Sequence, residues 1–208
     1  MNEDHRSGPM VHRRPWTSRH VSQGDLQGWD DARSMALAEM SYSAAPDFYD
    51  LIPLPHEAVV KLIVEQLGAP ETETSDLHVL SRDGAEAAML CALPSEALNR
   101  AKQDATLALI RRLDRASKVS YMAALGAYTP TVEPFYIDSF YLTRIASGAK
   151  RSGAGTAAME RFIELGAGRV CGLHVKVDNL PAISLYRKFG FRFVSDGPYR
   201  FRAMVNRP

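Results

Sequence analysis

The chain has 208 residues, of which 46% are hydrophobic and 24% are charged, so it is long enough to bury one sizeable core. The net charge of +1 gives no global indication of nucleic-acid or membrane-surface binding, and we predict neither partner. Cys91 and Cys171 lie in separate apolar runs, which indicates buried thiols in a reducing compartment. Because no apolar run is long enough to span a bilayer and no targeting leader is recognisable, we expect a cytoplasmic protein.

The N-terminal part of the chain, residues 1–29, is rich in polar residues and shows no apolar period. We predict a flexible leader there, followed by one domain over residues 30–208. His5, His12 and His20 lack the spacing of metal ligands, so no metal site is predicted.

Two helices are predicted next, over residues 30–40 with Asp30 as the cap, and over residues 55–67 with Gly68 as the stop. The segment between them is aromatic and acidic. Its notable residues are Tyr42, Asp47, Phe48, Tyr49 and Asp50.

A hairpin is predicted from the β-type runs 77–81 and 86–93, because Asp83-Gly84 between them is a strong turn signal. Residues 94–134 then form a long, predominantly helical stretch. Its cations, such as Arg111 and Arg112, indicate a solvated face.

Small residues mark the turn between the apolar run 135–146, which is predicted to be a strand, and a helix predicted over 156–165. The turn reads Lys150-Arg151-Ser152-Gly153-Ala154-Gly155-Thr156. Glycines leave backbone N–H groups uncovered, and the helix dipole is positive at this end, so the turn indicates a seat for phosphate.

Two phosphate-binding motifs fit this turn poorly. A P-loop starting at Gly148 requires Lys and Ser/Thr where Ala154 and Gly155 stand. A dinucleotide fingerprint is nearly matched by the glycines and by Asp178 downstream. However, polar and small residues separate the strand from the first glycine, and only residues 179–208 follow Asp178, too few to continue a doubly wound sheet.

The remainder of the chain is predicted to contain a strand over 170–177, a helix over 181–188 and a closing hairpin around Asp196-Gly197-Pro198. In the strand, Leu173 and His174 alternate, so His174 is expected to point away from the Leu173 face.

Three motifs in order resemble those of the GNAT acetyltransferases. Lys150-x-x-Gly153-x-Gly155 is similar to the family's Arg/Gln-x-x-Gly-x-Gly/Ala loop, with Lys in place of the usual residue. The run Tyr136-Ile137-Asp138-Ser139-Phe140-Tyr141-Leu142 resembles the central strand. The run Asn179-x-x-Ala182-x-x-Leu185-Tyr186-x-x-Phe189-Gly190-Phe191 resembles the second cofactor motif. The resemblance implies an α/β fold with a mixed, mostly antiparallel sheet flanked by helices, and makes residues 94–134 a helical insertion before the central strand.

The resemblance also implies the site residues. The loop that holds the pyrophosphate of acetyl-CoA would comprise Lys150, Arg151, Ser152, Gly153, Ala154, Gly155 and Thr156. Leu142, Thr143 and Asn179 would meet the pantetheine arm, and backbone N–H groups near residues 141–143 would receive the carbonyl oxygen. Tyr186 would contact the cofactor and protonate the leaving thiolate.

The base that deprotonates the amine is less defined. Asp138 and Glu133 are the candidates nearest to the expected position, and each is equally readable as a solvated or capping carboxylate. Asp47 and Asp50 are further candidates, as binders of a cationic acceptor. His174 is a less favoured catalytic residue.

These features predict a direct N-acetyltransferase that uses acetyl-CoA and a small-molecule or peptide amine, with a homodimer left open. Its rivals are transfer from another acyl-CoA and a non-catalytic acyl-CoA-binding module, with a nicotinamide-dependent enzyme more distant. The acceptor is not defined by the sequence, because one fold serves many substrates.

Overall fold

A computed structural model describes residues 15–148 and 152–208 of the chain. Within these residues the strands are β1 (Thr17–Val21), β2 (Leu77–Arg82), β3 (Ala85–Pro94), β4 (Phe140–Ser147), β5 (Cys171–Lys176), β6 (Arg192–Phe193) and β7 (Phe201–Asn206). The helices are α1 (Gln23–Gln27), α2 (Asp31–Ala44), α3 (Pro46–Tyr49), α4 (His56–Gln66), α5 (Ser95–Arg112), α6 (Arg115–Tyr128), α7 (Ala154–Leu165) and α8 (Leu180–Lys188).

The strands form one sheet in the order β1-β2-β3-β4-β5-β7-β6. Neighbouring strands are antiparallel except β4 and β5, which are parallel and are connected across one face by α7. This confirms the predicted mixed, mostly antiparallel sheet flanked by helices.

Local signals explain where several elements begin and turn. The Asp30 carboxylate accepts the backbone N–H of Arg33 at 2.7 Å and so caps α2, as predicted. Asp83 and Gly84 both adopt positive φ, of 56° and 80°, which the tight turn between β2 and β3 requires. The predicted helical stretch before β4 is formed by α5 and α6.

The core has a layer on each face of the sheet. On one face, Phe140 and Leu142 of β4 pack with Ala158 and Phe162 of α7 and with Tyr186 of α8. The opposite face is covered by α2 and α4, together with side chains from α5 and α6. The central strand is therefore buried on both sides, and a ligand can reach its backbone only where a neighbouring strand is missing.

Two predictions about the strands require correction. The predicted leader is wrong for residues 17–27, which form β1 and α1. β1 was missed because it is an edge strand with only Val21 buried, so its backbone pairing leaves no apolar period. The central strand begins at Phe140 rather than at residue 135, and Tyr136 before it is almost fully exposed. The predicted leader's residues 1–14, with His5 and His12, lie outside the described residues.

We expect Gly68→Ala to destabilise the fold by about 1–3 kcal/mol. Gly68 has a φ of 64°, and an added Cβ would lie 2.8 Å from the backbone nitrogen of Gln23, which also donates to the Gly68 carbonyl. Gly84→Ala is the matched control, since Gly84 has a similar φ of 80° but open space around the added Cβ. Urea unfolding should show a clearly smaller loss for the control, and equal losses would contradict a close backbone approach at Gly68.

Candidate functional site

β4 and β5 separate shortly after they meet. They pair only at Phe140–Cys171, Tyr141–Gly172 and Leu142–Leu173, although β4 continues to Ser147 and β5 to Lys176. Each strand remains paired on its other side, β4 with β3 and β5 with β7. Within the described part of the chain, the β5-facing backbone edge of β4 beyond Leu142 therefore has no strand partner.

A β-bulge lies at the same point of β4. Cys91 pairs with Arg144 and Ala92 with Leu142, so Thr143 is an extra residue between them. A bulge re-aims the backbone and increases the local twist, which is consistent with the divergence of the two strands. The predicted pair Leu142 and Thr143 thus lies at the mouth of the opening. The Thr143 hydroxyl is turned toward the carbonyl oxygens of Glu73 and Cys91, so only its backbone faces the opening's edge.

The N-terminus of α7 follows the opening in the chain. Gly153 adopts a φ of 86°, and the Ser152 hydroxyl accepts the N–H of Ala154 at 3.2 Å. The N–H groups of Gly155 and Thr156 belong to the first helical turn and have no acceptor within the helix. No acidic residue lies in this turn, so the positive end of the helix dipole is not neutralised locally.

The two predicted cations of this loop, Lys150 and Arg151, lie outside the described residues. Arg82 is a cation near the loop that the sequence did not single out. Its guanidinium donates to the Ser152 carbonyl at 3.2 Å and stacks on Trp16, 4.1 Å from the ring centroid. Asn179 caps α8 by accepting the N–H of Ala182 at 3.2 Å, and its side chain is otherwise exposed.

Tyr186 is buried on the α7 and α8 face of the sheet, with its ring centroid 6.2 Å from that of Phe191. Burial raises the pKa of its phenol to about 12, so the phenol is protonated at neutral pH. The Tyr186 hydroxyl therefore carries the proton that a general acid must donate, and apolar neighbours hold the side chain in place.

The two carboxylates predicted as bases lie in different environments. Glu133 is buried, and its carboxylate accepts the N–H of Ala203 at 2.7 Å and the hydroxyl of Ser195. Its main chain also joins β7, since its N–H donates to the Phe201 carbonyl at 2.9 Å. Asp138 is exposed in the segment before β4. Glu133 therefore fastens this segment to β7, whereas Asp138 is free of such a structural duty among the contacts of the described residues.

His174 and Tyr141 form a buried polar chain across the paired part of β4 and β5. The Nε2 atom of His174 lies 2.7 Å from the Glu133 carbonyl, which can only accept, so Nε2 carries the proton. The Nδ1 atom then accepts the Tyr141 hydroxyl at 2.5 Å. Burial lowers the pKa of His174 to about 4, so the ring is neutral at physiological pH. As predicted, His174 points away from the Leu173 face.

The acidic residues of the α2–α4 connection already have partners. Asp47 forms ion pairs with Lys176, at 3.2 Å, and with Arg200. Asp50 accepts the hydroxyl of Tyr42 and raises the pKa of that phenol to about 12. Neither carboxylate is therefore an unpaired binding group for a cationic acceptor. Asp47 instead fastens α3 to the ends of β5 and β7.

A charged pair that the sequence analysis did not identify lies behind the bulge. Glu73 and Arg144 are each only 10% exposed at the side chain, and Arg144 Nη2 lies 3.4 Å from Glu73 Oε2. Glu73 sits in a loop after α4 with no periodic signal, so only the folded chain reveals its proximity to β4. The described residues contain no group of three or more His, Cys, Asp or Glu side chains placed to hold a metal.

We expect the neutral His174 to make stability depend on pH. Its pKa is about 4 in the folded protein and near 6.5 when unfolded, so the unfolded state binds more protons in this window. The stability contribution is complete above about pH 6.5 and is lost as the pH falls toward 4, up to about 3 kcal/mol. Urea unfolding of His174→Gln should show less loss of stability than wild type between pH 7 and 4. Because His56 is about half exposed, His56→Gln should retain the wild-type dependence, and equal slopes for all three proteins would contradict this assignment.

Comparison with known proteins agrees with this geometry. Residues 121–191 match the family model described as "Acetyltransferase (GNAT) family". The fold is similar to an N-acetyltransferase from Staphylococcus aureus Mu50, with a TM-score of 0.67 and 17% identity over 91% of this chain and 100% of that one.

Two further structures share the fold. A "histone acetyltransferase HPA2 and related acetyltransferase" from Corynebacterium glutamicum has a TM-score of 0.60 and 16% identity, covering 93% of this chain and 96% of that one. A polyamine N-acetyltransferase from Drosophila melanogaster has a TM-score of 0.54 and 13% identity, covering 93% and 100%. No curated protein matches the sequence. Residues 121–191, which match the family model, include the opened β4–β5 pair and both predicted cofactor motifs, so this part of the chain resembles the GNAT acetyltransferases in sequence, and the chain resembles N-acetyltransferases in fold.

Proposed function

We propose that this protein transfers an acetyl group from acetyl-CoA directly to an amine. The observation that carries the proposal is the loss of β4–β5 pairing after three residue pairs, next in the chain to a helix N-terminus with uncovered N–H groups. An opened strand edge offers backbone hydrogen bonds to an extended amide-bearing arm. A helix N-terminus offers them to a phosphate. Acetyl-CoA carries both groups and supplies an activated acetyl thioester.

The residues present fit such a ligand. Gly153 and Gly155 have no Cβ, so the approach to the first turn of α7 is open. A Cβ added at Gly153 would meet nothing within 4 Å. At Gly155 the nearest atom would be Leu185 Cδ2, at 3.6 Å on the neighbouring helix. We assign Ser152, Gly153, Ala154, Gly155 and Thr156 to the pyrophosphate, together with the predicted Lys150 and Arg151.

The chemistry needs few protein groups. The unpaired backbone edge of β4 beyond Leu142 is suited to donate to the carbonyl oxygen as negative charge develops on it. Tyr186 is protonated and donates to the departing thiolate. Leu142 and Thr143 contribute main-chain contacts to the pantetheine arm, and the exposed amide of Asn179 is available to it at the start of α8.

The proton acceptor for the ammonium stays a prediction on Asp138 and Glu133. The Glu133 carboxylate already accepts two hydrogen bonds, so Glu133→Gln alters stability as well as any rate. Asp138→Asn changes an exposed carboxylate and therefore isolates a catalytic effect. A lower rate for Asp138→Asn at high pH, where free amine is abundant, would contradict its action as a base.

We expect Gly155→Glu to abolish acetyl-CoA binding while leaving the protein folded. The new carboxylate stands at the positive end of α7, where it favours the helix but repels the pyrophosphate. In a thermal shift assay, acetyl-CoA at about 100 times its dissociation constant should stabilise wild type by about 2.7 kcal/mol, and the variant by nothing measurable.

Gly155→Gln is the matched control, with similar size and no charge, and should retain a clear shift. NAD should stabilise none of the three proteins. A shift by NAD but not by any CoA ester would overturn the cofactor assignment, and equal loss in both variants would show that bulk rather than charge matters there.

Tyr186→Phe should lower kcat by about 10²-fold and leave acetyl-CoA affinity unchanged. The phenol sits among apolar side chains, so Phe preserves the packing and removes only the proton donor. Thiol release measured with a reactive amine tests the rate, and thermal shift tests binding.

The same two assays separate the rival functions. Stabilisation by CoA esters with no turnover of any amine by wild type would favour a non-catalytic acyl-CoA-binding module. Faster turnover with succinyl-CoA or propionyl-CoA would favour another acyl donor. A cytoplasmic location is also a proposal, supported by the two buried free thiols of the described residues. Among these residues, no helix has the length and apolar character needed to cross a bilayer. A homodimer stays a prediction.

A further inference from the structure

A small cavity lies beside the β4 bulge, on the sheet face opposite α7 and α8. It has a volume of about 30 Å³, enough for roughly two water-sized groups. Its wall is largely apolar and aromatic, with Phe48, Tyr49 and Tyr121 among the lining residues. The charged pair Glu73 and Arg144 also lines the cavity, so one end of its largely apolar wall is polar.

Two buried polar atoms of residues that line this cavity lack partners. Within residues 15–148 and 152–208, neither the Tyr121 hydroxyl nor Arg144 Nε makes a hydrogen bond. Tyr121 is fully buried, which raises the pKa of its phenol, and the neighbouring Thr106 hydroxyl partly offsets that rise. Each such atom is costly to leave unpaired, and both can donate. The site therefore calls for a ligand group that accepts hydrogen bonds.

One cation, Arg144, and one carboxylate, Glu73, line the cavity. Other donors of Arg144 are directed to the Thr143 carbonyl, at 2.7 Å, and to Glu73, and the Tyr49 hydroxyl is a further partner of the guanidinium. Glu73 and Arg144 balance one another, and Lys102 interacts with both. Lys102 lies outside the lining and burial lowers its pKa, so the charge of the wall is close to neutral and the hydrogen-bond donors decide which group the cavity accepts.

We propose that this cavity receives the carboxylate of the acceptor, so that the substrate is an amino acid or a similar short amine carrying a carboxylate. The inference rests on the proposed acetyl transfer and names its substrate class. Arg144 Nε and the Tyr121 hydroxyl donate to the carboxylate, while Phe48 and Tyr49 contact its apolar part.

The distance from the cavity to the opening agrees with a short substrate. Arg144 lies two residues beyond Leu142, where β4 and β5 part, and the bulge at Thr143 makes this step shorter than the roughly 7 Å that two extended residues span. A carboxylate held at Arg144 places an amine a few bonds away at the opened edge of β4. The acceptor would approach from the α2–α6 face, and the acyl donor from the α7–α8 face.

Matched pairs of acceptors test the inference directly. Leucine is compared with isoamylamine and phenylalanine with phenethylamine, because each pair differs only in the carboxylate. Agmatine and spermidine represent cationic acceptors. Thiol release from acetyl-CoA gives kcat/KM for each, with pH adjusted so that equal fractions of each amine are unprotonated.

Wild type should prefer the carboxylate member of each pair by at least tenfold. Tyr121→Phe and Arg144→Gln should reduce kcat/KM for the amino acids by tenfold or more and leave the decarboxylated amines unchanged. Tyr128→Phe is the control, since Tyr128 is not part of the cavity lining and packs edge-on against Phe48 and at a tilt against Phe201, and it should retain the preference. Because Arg144→Gln leaves Glu73 without its partner, the double variant with Glu73→Gln is measured as well.

Equal rates within each pair, or faster turnover of the polyamines, would overturn the inference. So would a loss that is the same for both members of a pair in Tyr121→Phe, because a merely structural role would produce it. If acetyl-CoA stabilises the protein but neither set of amines is acetylated, the substrate class is wrong. If acetyl-CoA does not bind at all, the proposed function itself fails, and the thermal shift distinguishes the two cases.

Discussion

The contact between β4 and β5 is the constraint on which the rest of the structure depends. Three residue pairs hold the two halves of the sheet together, and beyond Leu142 the halves diverge. Among the described residues, a longer ladder would close this approach to the backbone of the central strand, which helices bury on both faces. A shorter one would leave β5, β7 and β6 joined to the remaining strands by little more than α7.

Polar contacts supply what the short ladder lacks. The Glu133 carboxylate accepts the N–H of Ala203 in β7. The Glu133 carbonyl accepts the Nε2–H of His174 in β5, and the Nδ1 atom of His174 accepts the hydroxyl of Tyr141 in β4. Such a chain of buried hydrogen bonds is directional, so it fixes the angle between the strands as well as their proximity. This explains why a buried carboxylate and a neutral imidazole stand close to the opening, where sequence reasoning looked for a base.

The sequence predicted what short-range chemistry determines. The Asp83-Gly84 turn, the Asp30 cap and the glycine start of α7 each follow from a backbone conformation or an uncapped N–H that only certain residues satisfy. The family motifs indicated the order of the remaining elements.

What the sequence missed depends on contacts distant in the chain. β1 gains its structure from pairing with β2, about sixty residues away, and its exposed side chains carry no pattern. Glu73 and Arg144 meet across a similar separation. Residues 135–139 have the apolar character of a strand, but Phe135 uses it to pack on Tyr141 and His174 rather than to extend β4. No local signal distinguishes these outcomes, because the deciding partner belongs to another segment.

The buried pair of Glu73 and Arg144 is a poor device for stability alone. Desolvating two charges offsets most of their attraction, and apolar residues of similar volume usually stabilise such a position at least as well. Here the pair is also imperfect, with a separation of 3.4 Å and an unpaired Nε. A buried and imperfect ion pair beside the opened strand is more readily explained by discrimination between acceptor substrates. A site built to hydrogen-bond one substrate group rejects analogues that lack it, because its own buried donors then remain unsatisfied. The cost of leaving these donors unpaired would thus favour an acceptor whose carboxylate pairs with them.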